Sequence, residues 1–596
     1  MTLRDHVARE YTFLKSITRT YYRMRHVKPD GRYTISDIVE EFARTRPDNV
    51  AVVTENRTYT YRELDEGANR YARWAMKQGV KRGDVVALLM SGRPQYLMAW
   101  LGIVKLGGIV ALLNTTLRGQ ALAHCIAIAE ARHIILGSEL YDVYRCALPF
   151  LEAHPIPWVT GGFVTGTEDL DEALRECERT PIDVAVRDGL TAKDTAFYIY
   201  TSGTTGLPKA ANFSHMRMLF MMFGFAGALD ADENDRMYNP LPLYHSTGGV
   251  CAVGVALTTG GSVVIRPKFS TQEFWKDCHK FRPTYFQYIG ELCRYLLNAP
   301  PSPLDRGHGI QAITGNGLRP DIWQVFQQRF EIPKIIEFYG ATEGNVGMIN
   351  YDGQVGAVGR IPNYMRAIAG TRVVKFDVEN ELPMRDGNGF CIECADDEVG
   401  EAIGKIRRMP GRNFEGYTHE TDTRKKVLRN VFVTGDAWFR TGDLMRRDKF
   451  GYYYFVDRIG DTFRWKGENV ATSEVAEALG RVPGIREANV YGVFVPHCDG
   501  RAGMASLVVD SAFDPALLAK WLSGDLPPYA IPVFLRLQSE MEVTGTFKQR
   551  KVELVKDAFD PAIIDDPLYW LDSLSGCYVP LDATRYTDIV QGRVRL

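Results

Sequence analysis

Along the first two-thirds of the chain, apolar residues fall into two alternating patterns, a helical stripe and a short continuous run. Thr60 and Glu63 form a capping box, and Leu64, Ala68, Tyr71, Ala72 and Ala75 follow at helical spacing until Gly79. Residues 84–90, DVVALLM, are then a run suited to a buried parallel strand. The same alternation predicts helices over 94–106, 117–129 and 271–280, each followed by a strand, over 109–113, 133–136 and 284–289. No repeat with a period of 20 to 50 residues is evident. Near residue 450 the texture changes. Residues 451–456 read as a strand, 457–461 (DRIGD) as a polar joint, and a helix over 473–479, a strand over 487–494 and a helix over 515–522 follow. The expected fold class is α/β, a large layered N-terminal domain with buried sheets plus a small mobile α+β C-terminal domain. Its expected divisions are a basic amphipathic N-terminal extension over 1–30, the large domain over 31–457, a hinge at 458–461 and the small domain with its tail over 462–596.

Composition narrows the partners. With 596 residues, 45% hydrophobic and 24% charged, the chain is expected to bury large cores. A formal net charge of -2 supplies no basic field, which argues against nucleic acid as the main partner. Of the ten cysteines only Cys391 and Cys394 form a CxxC, without a second pair nearby, so structural thiols in a reducing cytoplasm are expected. Arg4, Asp5 and Arg9 stand where a signal peptide needs an apolar core. Residues 96–113 contain Lys105 and three glycines, and 218–229 is short for a span, so both read as buried core. Over residues 3–28, Leu3, Val7, Leu14, Ile17, Tyr21 and Met24 recur at helical spacing among Arg4, Arg9, Lys15, Arg19, Arg23, Arg25 and Lys28. A helix lying on an anionic membrane and a helix packed on its own protein both fit that pattern.

Behind the apolar stretch 196–199 stand Tyr200, Thr201, Ser202, Gly203, Thr204, Thr205, Gly206, Leu207, Pro208 and Lys209. Glycines let backbone N–H groups turn inward, hydroxyls donate to phosphate oxygens, and the lysine adds mobile positive charge. The segment is not a Walker A loop, because Leu207 and Pro208 separate Gly206 from Lys209 and Ala210 follows.

Further blocks accompany it: Leu241 to Gly249 (LPLYHSTGG), Gly315 to Pro320 (GNGLRP), Phe338 to Asn345 (FYGATEGN), Arg440 to Leu444 (RTGDL) and Thr544 to Lys548 (TGTFK). In order and spacing these resemble the adenylate-forming superfamily of acyl-CoA synthetases, adenylation domains and luciferases. Residues 198–211, 452–472 and the late TGTFKQRKVELVKDAFDP are most similar to its fatty acid transport protein type of long- and very-long-chain acyl-CoA synthetase. The resemblance covers residues 31–596 and implies ligation of a fatty acid to coenzyme A at the expense of ATP, releasing AMP and pyrophosphate. A carboxylate must then approach the α-phosphate, and two anions at about 4 Å repel by roughly 4 kcal/mol at an effective dielectric near 20. Mg²⁺ near Thr201 and Glu343, together with Lys548, is implied to cover that charge.

Carried over position by position, the resemblance gives the β- and γ-phosphates to Thr201, Ser202, Gly203, Thr204, Thr205, Gly206 and Lys209, and the α-phosphate to Thr342. Tyr339 stacks on adenine above Gly317, Asp443 accepts the ribose hydroxyls, Arg458 reaches the ribose and Arg464 lies near the nucleotide. His245 and Gly248 belong to the acyl entrance, Gly340 leaves the acyl pocket open, and Lys466 and Gly467 line the CoA channel. Many relatives carry Asp or Lys at the hinge, where this chain has Gly460 followed by Asp461. Activation of a bile or sterol-type, aryl or amino acid is a competing reading. An amino acid is disfavoured because its amine finds only Asp235, upstream of the expected pocket. A membrane transporter of fatty acids is a further reading.

The charge argument makes Lys548 the sharpest test. Lys548→Ala is expected to cut adenylate formation about a hundredfold or more while sparing thioester formation from supplied acyl-adenylate. Equal loss in both half-reactions, followed by AMP and thioester release, would remove the assignment.

Overall fold

The computed structural model describes residues 3–201, 207–378, 380–407, 413–498, 500–544, 549–594 and 596. The chain forms two compact units. The first comprises Met1–Leu318, Phe326–Gln354 and Lys405–Leu428, and the second Arg319–Val325, Val355–Gly404 and Arg429–Leu596.

The first unit contains two sheets flanked by helices. In spatial order, the seven-stranded sheet runs Glu168–Asp169, Ile156–Thr160, His133–Gly137, Val85–Leu89, Ile109–Leu112, Thr195–Thr201 and Lys209–Ser214. Its strands are parallel except the last, which pairs antiparallel with Thr195–Thr201 and places Thr201 opposite Lys209. The eight-stranded sheet has a parallel centre through Val50–Val53, Ser262–Ile265, Arg236–Asn239, Tyr285–Ile289, Ala312–Asn316 and Ile335–Gly340. Antiparallel strands Thr58–Thr60 and Gly347–Asn350 close its two edges.

Local chemistry explains these elements. At helix Tyr61–Lys77, Thr60 Oγ1 accepts from Glu63 N at 3.2 Å and Glu63 Oε2 accepts from Thr60 N at 3.0 Å, so each satisfies an end donor of the other. The expected helices appear as Pro94–Lys105, Gly119–Ala129 and Thr271–Phe281, and the strands after them as Ile109–Leu112, His133–Gly137 and Tyr285–Ile289. Helix Pro94–Lys105 and helix His215–Leu229 are buried core elements, and no described helix is long and apolar enough to cross a membrane. All ten cysteines are free thiols.

In the second unit, Gly359–Arg360, Tyr452–Arg458, Ala437–Arg447, Val399–Lys405 and Thr371–Val374 form one sheet, and Ile485–Phe494, Arg501–Val509, Phe534–Leu537, Leu568–Asp572 and Cys577–Pro580 another. Helices Thr472–Gly480 and Pro515–Leu522 lie where the sequence predicts them. The joint between Tyr452–Arg458 and this last sheet is well held. Lys551 Nζ reaches Asp461 Oδ2 and Thr472 Oγ1, both at 3.0 Å, while buried Asp457 accepts from Thr472 N and Thr462 Oγ1. Burial raises the Asp457 carboxyl above its usual range, partly offset by the Lys551 charge.

The N-terminal helix Leu3–Arg23 packs on His215–Leu229, but not by the expected stripe. Its buried positions are Arg9, Phe13, Ser16 and Thr20, whereas Val7, Leu14 and Tyr21 are exposed. Polar anchors set this orientation: Arg23 Nη2 donates to Ala231 O at 2.6 Å, and Arg19 pairs with Asp230 at 2.6 Å.

Lys105, the charge that argues against a span, is 1% exposed and lies 2.7 Å from Asp65 and 2.8 Å from Glu40, with Asn69 Oδ1 at 2.7 Å. Burial alone would raise the Glu40 carboxyl, but Lys105 and Arg187 together hold it below its usual range. Its contribution is therefore complete above the unfolded carboxylate pKa of about 4.3 and is lost as pH falls through the depressed folded value. Removing the cation leaves buried carboxylates uncompensated, so Lys105→Ala is expected to cost about 3–5 kcal/mol. Denaturant midpoints at neutral pH check this, and the deficit is expected to shrink in acid.

Candidate functional site

Strands Thr195–Thr201 and Lys209–Ser214 bring Thr201 and Lys209 face to face where the two strands meet. Ser202, Gly203, Thr204, Thr205 and Gly206 lie outside the described residues. Beside the second strand runs the segment around Tyr417: Asn212 N donates to Gly416 O, Thr418 N donates to Ala210 O, and Ala211 bridges Tyr417. Tyr417 thereby becomes the centre of a polar cluster. Its hydroxyl donates to Glu343 Oε1 at 2.7 Å and bonds Thr201, while Lys209 Nζ lies 5.6 Å from its ring and 2.8 Å from Asp422 Oδ1. Burial, then the Glu343 charge, pushes the phenol far above its ordinary pKa, so it stays a neutral donor.

Glu343 itself is buried on the turn after strand Ile335–Gly340. Arg217, in the first turn of helix His215–Leu229, fixes that turn from behind: Nη2 donates to Ala341 O at 3.1 Å and to Gly344 O. Thr342 and Glu343 are thus held between two carbonyls bound by one guanidinium. Burial lowers the Arg217 pKa, opposed by the carboxylates of Glu415 and Glu343. Sequence reasoning missed both Tyr417 and Arg217. The only signal for Tyr417 is a Gly-Tyr pair in a charged stretch, and for Arg217 an arginine on an otherwise apolar helix.

Gly317 follows strand Ala312–Asn316 and rests on a buried carboxylate. Glu337 Oε1 accepts from Gly317 N and from Leu318 N, the latter at 3.1 Å, and its other oxygen accepts from the Tyr288 hydroxyl. Burial pushes the Glu337 carboxyl up to about 8 against the pull of these three donors. Helix Gly290–Asn298 starts against the same loop, where a Cβ on Gly290 would lie 1.6 Å from Gly317 O. Tyr339 is half-buried and pairs with Met348, and Gly340 pairs with Gly347. A Cβ on Gly340 would meet only Val346 O at 4.0 Å, so the space beside it is open.

His245 precedes a π-helical turn, Thr247–Ala252, and its Nδ1 accepts from Thr247 N at 3.3 Å. Such turns are frequent at functional sites. Gly248 is required by packing, since a Cβ would approach Pro242 O to 2.5 Å.

The remaining candidates belong to the second unit. Asp443 and Arg458 are cross-strand partners, with Arg458 Nε 3.9 Å from Asp443 Oδ1. Arg464 lies on the short strand Phe463–Trp465, paired with Glu468–Val470. Lys466 and Gly467 form the exposed tip at φ 52° and 84°, as a two-residue hairpin turn of the primed type requires. Lys548 lies outside the described residues.

The donor set suits magnesium. Thr201 and Glu343 offer one hydroxyl and one carboxylate, hard oxygens of the kind that hold Mg²⁺ when phosphate oxygens and water complete the octahedron.

Residues 39–393 match the AMP-binding enzyme family and residues 474–548 the AMP-binding enzyme C-terminal domain. The chain is 40% identical over 593 residues to long-chain fatty acid transport protein 6 of Mus musculus, covering 98% of this chain and 95% of that protein. It is also 40% identical over 587 residues to long-chain fatty acid transport protein 2 of Rattus norvegicus, covering 97% and 93%. Among solved structures, an anthranilate CoA ligase in complex with anthranoyl-AMP shares the fold at TM-score 0.75 and 21% identity, covering 88% of this chain and 97% of that one. ATP-bound MatB from Rhodopseudomonas palustris does so at TM-score 0.73 and 24% identity, covering 88% and 99%.

Tyr417→Phe removes the one hydroxyl that joins Thr201 to Glu343. A hydrogen bond to a charged group contributes about 1.5–3 kcal/mol, so calorimetry with MgATP is expected to show binding weakened about ten- to a hundredfold, with a much smaller change for ATP in chelator. Equal losses in both titrations would place Tyr417 outside the metal's reach.

Proposed function

Since the chain belongs to the AMP-binding enzymes, and among them to the family of the long-chain fatty acid transport proteins, we propose that it ligates a long- or very-long-chain fatty acid to coenzyme A through an acyl-adenylate. The observation that carries this reading is the meeting of Thr201 and Lys209, on paired strands, with Tyr417 and with Glu343 on the turn after strand Ile335–Gly340. Hydroxyl, ammonium, phenol and carboxylate there form a site for a magnesium triphosphate.

In this mechanism Lys209 and the segment after Thr201 hold the β- and γ-phosphates, and Thr342 holds the α-phosphate on the turn that Arg217 fixes. Thr201 and Glu343 would hold Mg²⁺, which when bound would neutralise phosphate charge. Tyr339 covers one face of adenine and the Gly317 loop the other, its position set by Glu337. Asp443 accepts both ribose hydroxyls, and Arg458, its cross-strand partner, also reaches the ribose. Lys548 neutralises the approaching fatty acid carboxylate as pyrophosphate leaves. Rotation at 458–461 then replaces Lys548 with Lys466 and Gly467, which admit the CoA thiol to the acyl carbonyl, and AMP departs. Gly460, at φ 93° with open space beside it, suits a joint that must change its torsions.

The relatives' names speak of transport. Ligation alone accounts for uptake, because the bulky charged thioester cannot return across a bilayer. The use of ATP and coenzyme A together with the free thiols favours a cytoplasmic reaction, peripheral to the inner face of a membrane.

Open space at Gly340 favours a long acid. Each buried methylene contributes roughly 0.8 kcal/mol, so about ten of them give at most some 8 kcal/mol before ordering costs. Gly340→Trp is expected to abolish long-chain activation while retaining ATP binding and some turnover of acetate or propionate. AMP release against chain length, with bile and aryl acids included, measures this. Unchanged long-chain preference would place the acyl tunnel elsewhere.

A further inference from the structure

The N-terminal helix Leu3–Arg23 inverts the usual arrangement of a surface helix. An amphipathic helix normally turns its apolar stripe to the core and its polar face to water. Here the face against the protein carries Arg9, Phe13, Ser16 and Thr20, at steps of four, three and four residues. The outward face carries Val7, Tyr11 and Leu14 at steps of four and three, then Tyr21 and Tyr22, each between 50% and 65% exposed. Single exposed apolar residues need no explanation, but five on one helical face do.

Charge identifies what covers that face. Arg4 and Lys15 on the helix, Arg25 on the 3-10 turn Met24–His26 after it and Lys28 just beyond are all exposed. Lys15 lies 5.8 Å from the Tyr11 ring and Arg25 4.0 Å from that of Tyr22, so cations and aromatic rings share one edge. Of the two acids in this helix, Asp5 and Glu10, the latter is largely covered beside Arg9. A second copy of the chain would set cations against cations. A surface of anionic lipid headgroups accepts both the cations and, beneath them, the tyrosines and aliphatic side chains. We propose that this face docks the protein on an anionic phospholipid surface, the helix lying in the interface plane. The helix itself is not among the described helices' candidates for a span, since none is long and apolar enough. Its packed face keeps it fixed to the first unit through Thr20 against Gly227 and through the Arg19 and Arg23 anchors.

Vesicle co-sedimentation of the full chain tests this without substrate, so its outcome is independent of the ligase reading. Binding is expected to vesicles of phosphatidylglycerol and phosphatidylcholine, to be weak on phosphatidylcholine alone, and to fall as salt rises. Each lysine or arginine near such a surface contributes about 1 kcal/mol, so the triple variant Arg4→Gln, Lys15→Gln, Arg25→Gln is expected to bind about a hundredfold more weakly. Tyr11→Ser with Leu14→Ser is expected to weaken binding by at least about tenfold. Because these side chains face water, both variants keep the wild-type melting temperature, which separates docking from folding. The proposal is overturned if either variant binds like the wild type, if anionic vesicles are not bound, or if the chain is a dimer that the serine substitutions dissociate.

Discussion

The polar site of the first unit depends on one buried guanidinium. Arg217 is an expensive residue to bury, and it is held by main-chain carbonyls of the 341–344 turn, donating to Gly344 O and to Ala341 O, which also accepts from Gly344 N at 3.2 Å. Its own backbone N–H donates to Ser214 Oγ at 3.1 Å, capping the helix, and Ser214 in turn donates N–H and hydroxyl to the two oxygens of Glu415 at 2.8 and 2.5 Å. A strand end, a helix start, the Glu415 to Thr418 segment and the Thr342-Glu343 turn are therefore tied by a single charged network. Such a network is rigid while complete, since each member satisfies another in a low-dielectric interior.

A second buried charge site lies below Gly317. Carboxylates oppose the burial that lowers the Arg217 pKa, whereas at Glu337 three neutral donors oppose the burial that raises it, and burial prevails at both. Protonated, the carboxyl still accepts from Gly317 and Leu318 and can itself donate to the Tyr288 oxygen. The loop is thus held in either protonation state, and the network differs in charge more than in shape.

The sequence makes some of this plain and hides the rest. Capping at Thr60 and Glu63 is local, decided by residues three apart, and reads directly as a helix start. The continuous apolar runs become inner, parallel strands of the seven-stranded sheet because parallel strands are covered on both faces. Thr201, Lys209, Thr342 and Glu343 are legible through motif order, yet Tyr417, which joins them, lies in a polar stretch that no local rule marks as buried. The N-terminal helix shows a different limit: periodicity reveals an apolar face and says nothing of what covers it. Arg19 and Arg23 settle the orientation by reaching Asp230 and Ala231, pairings set by the tertiary fold.

The two glycines beside the proposed nucleotide and acyl pockets differ in freedom. Gly290 cannot gain a single carbon without striking Gly317 O, while Gly340 faces empty space in the same unit. Substitution is therefore barred at Gly290 on the adenine side and sterically open at Gly340 on the acyl side. A lineage built on this scaffold can try new acids by altering one strand end, and retain the energy source it started with.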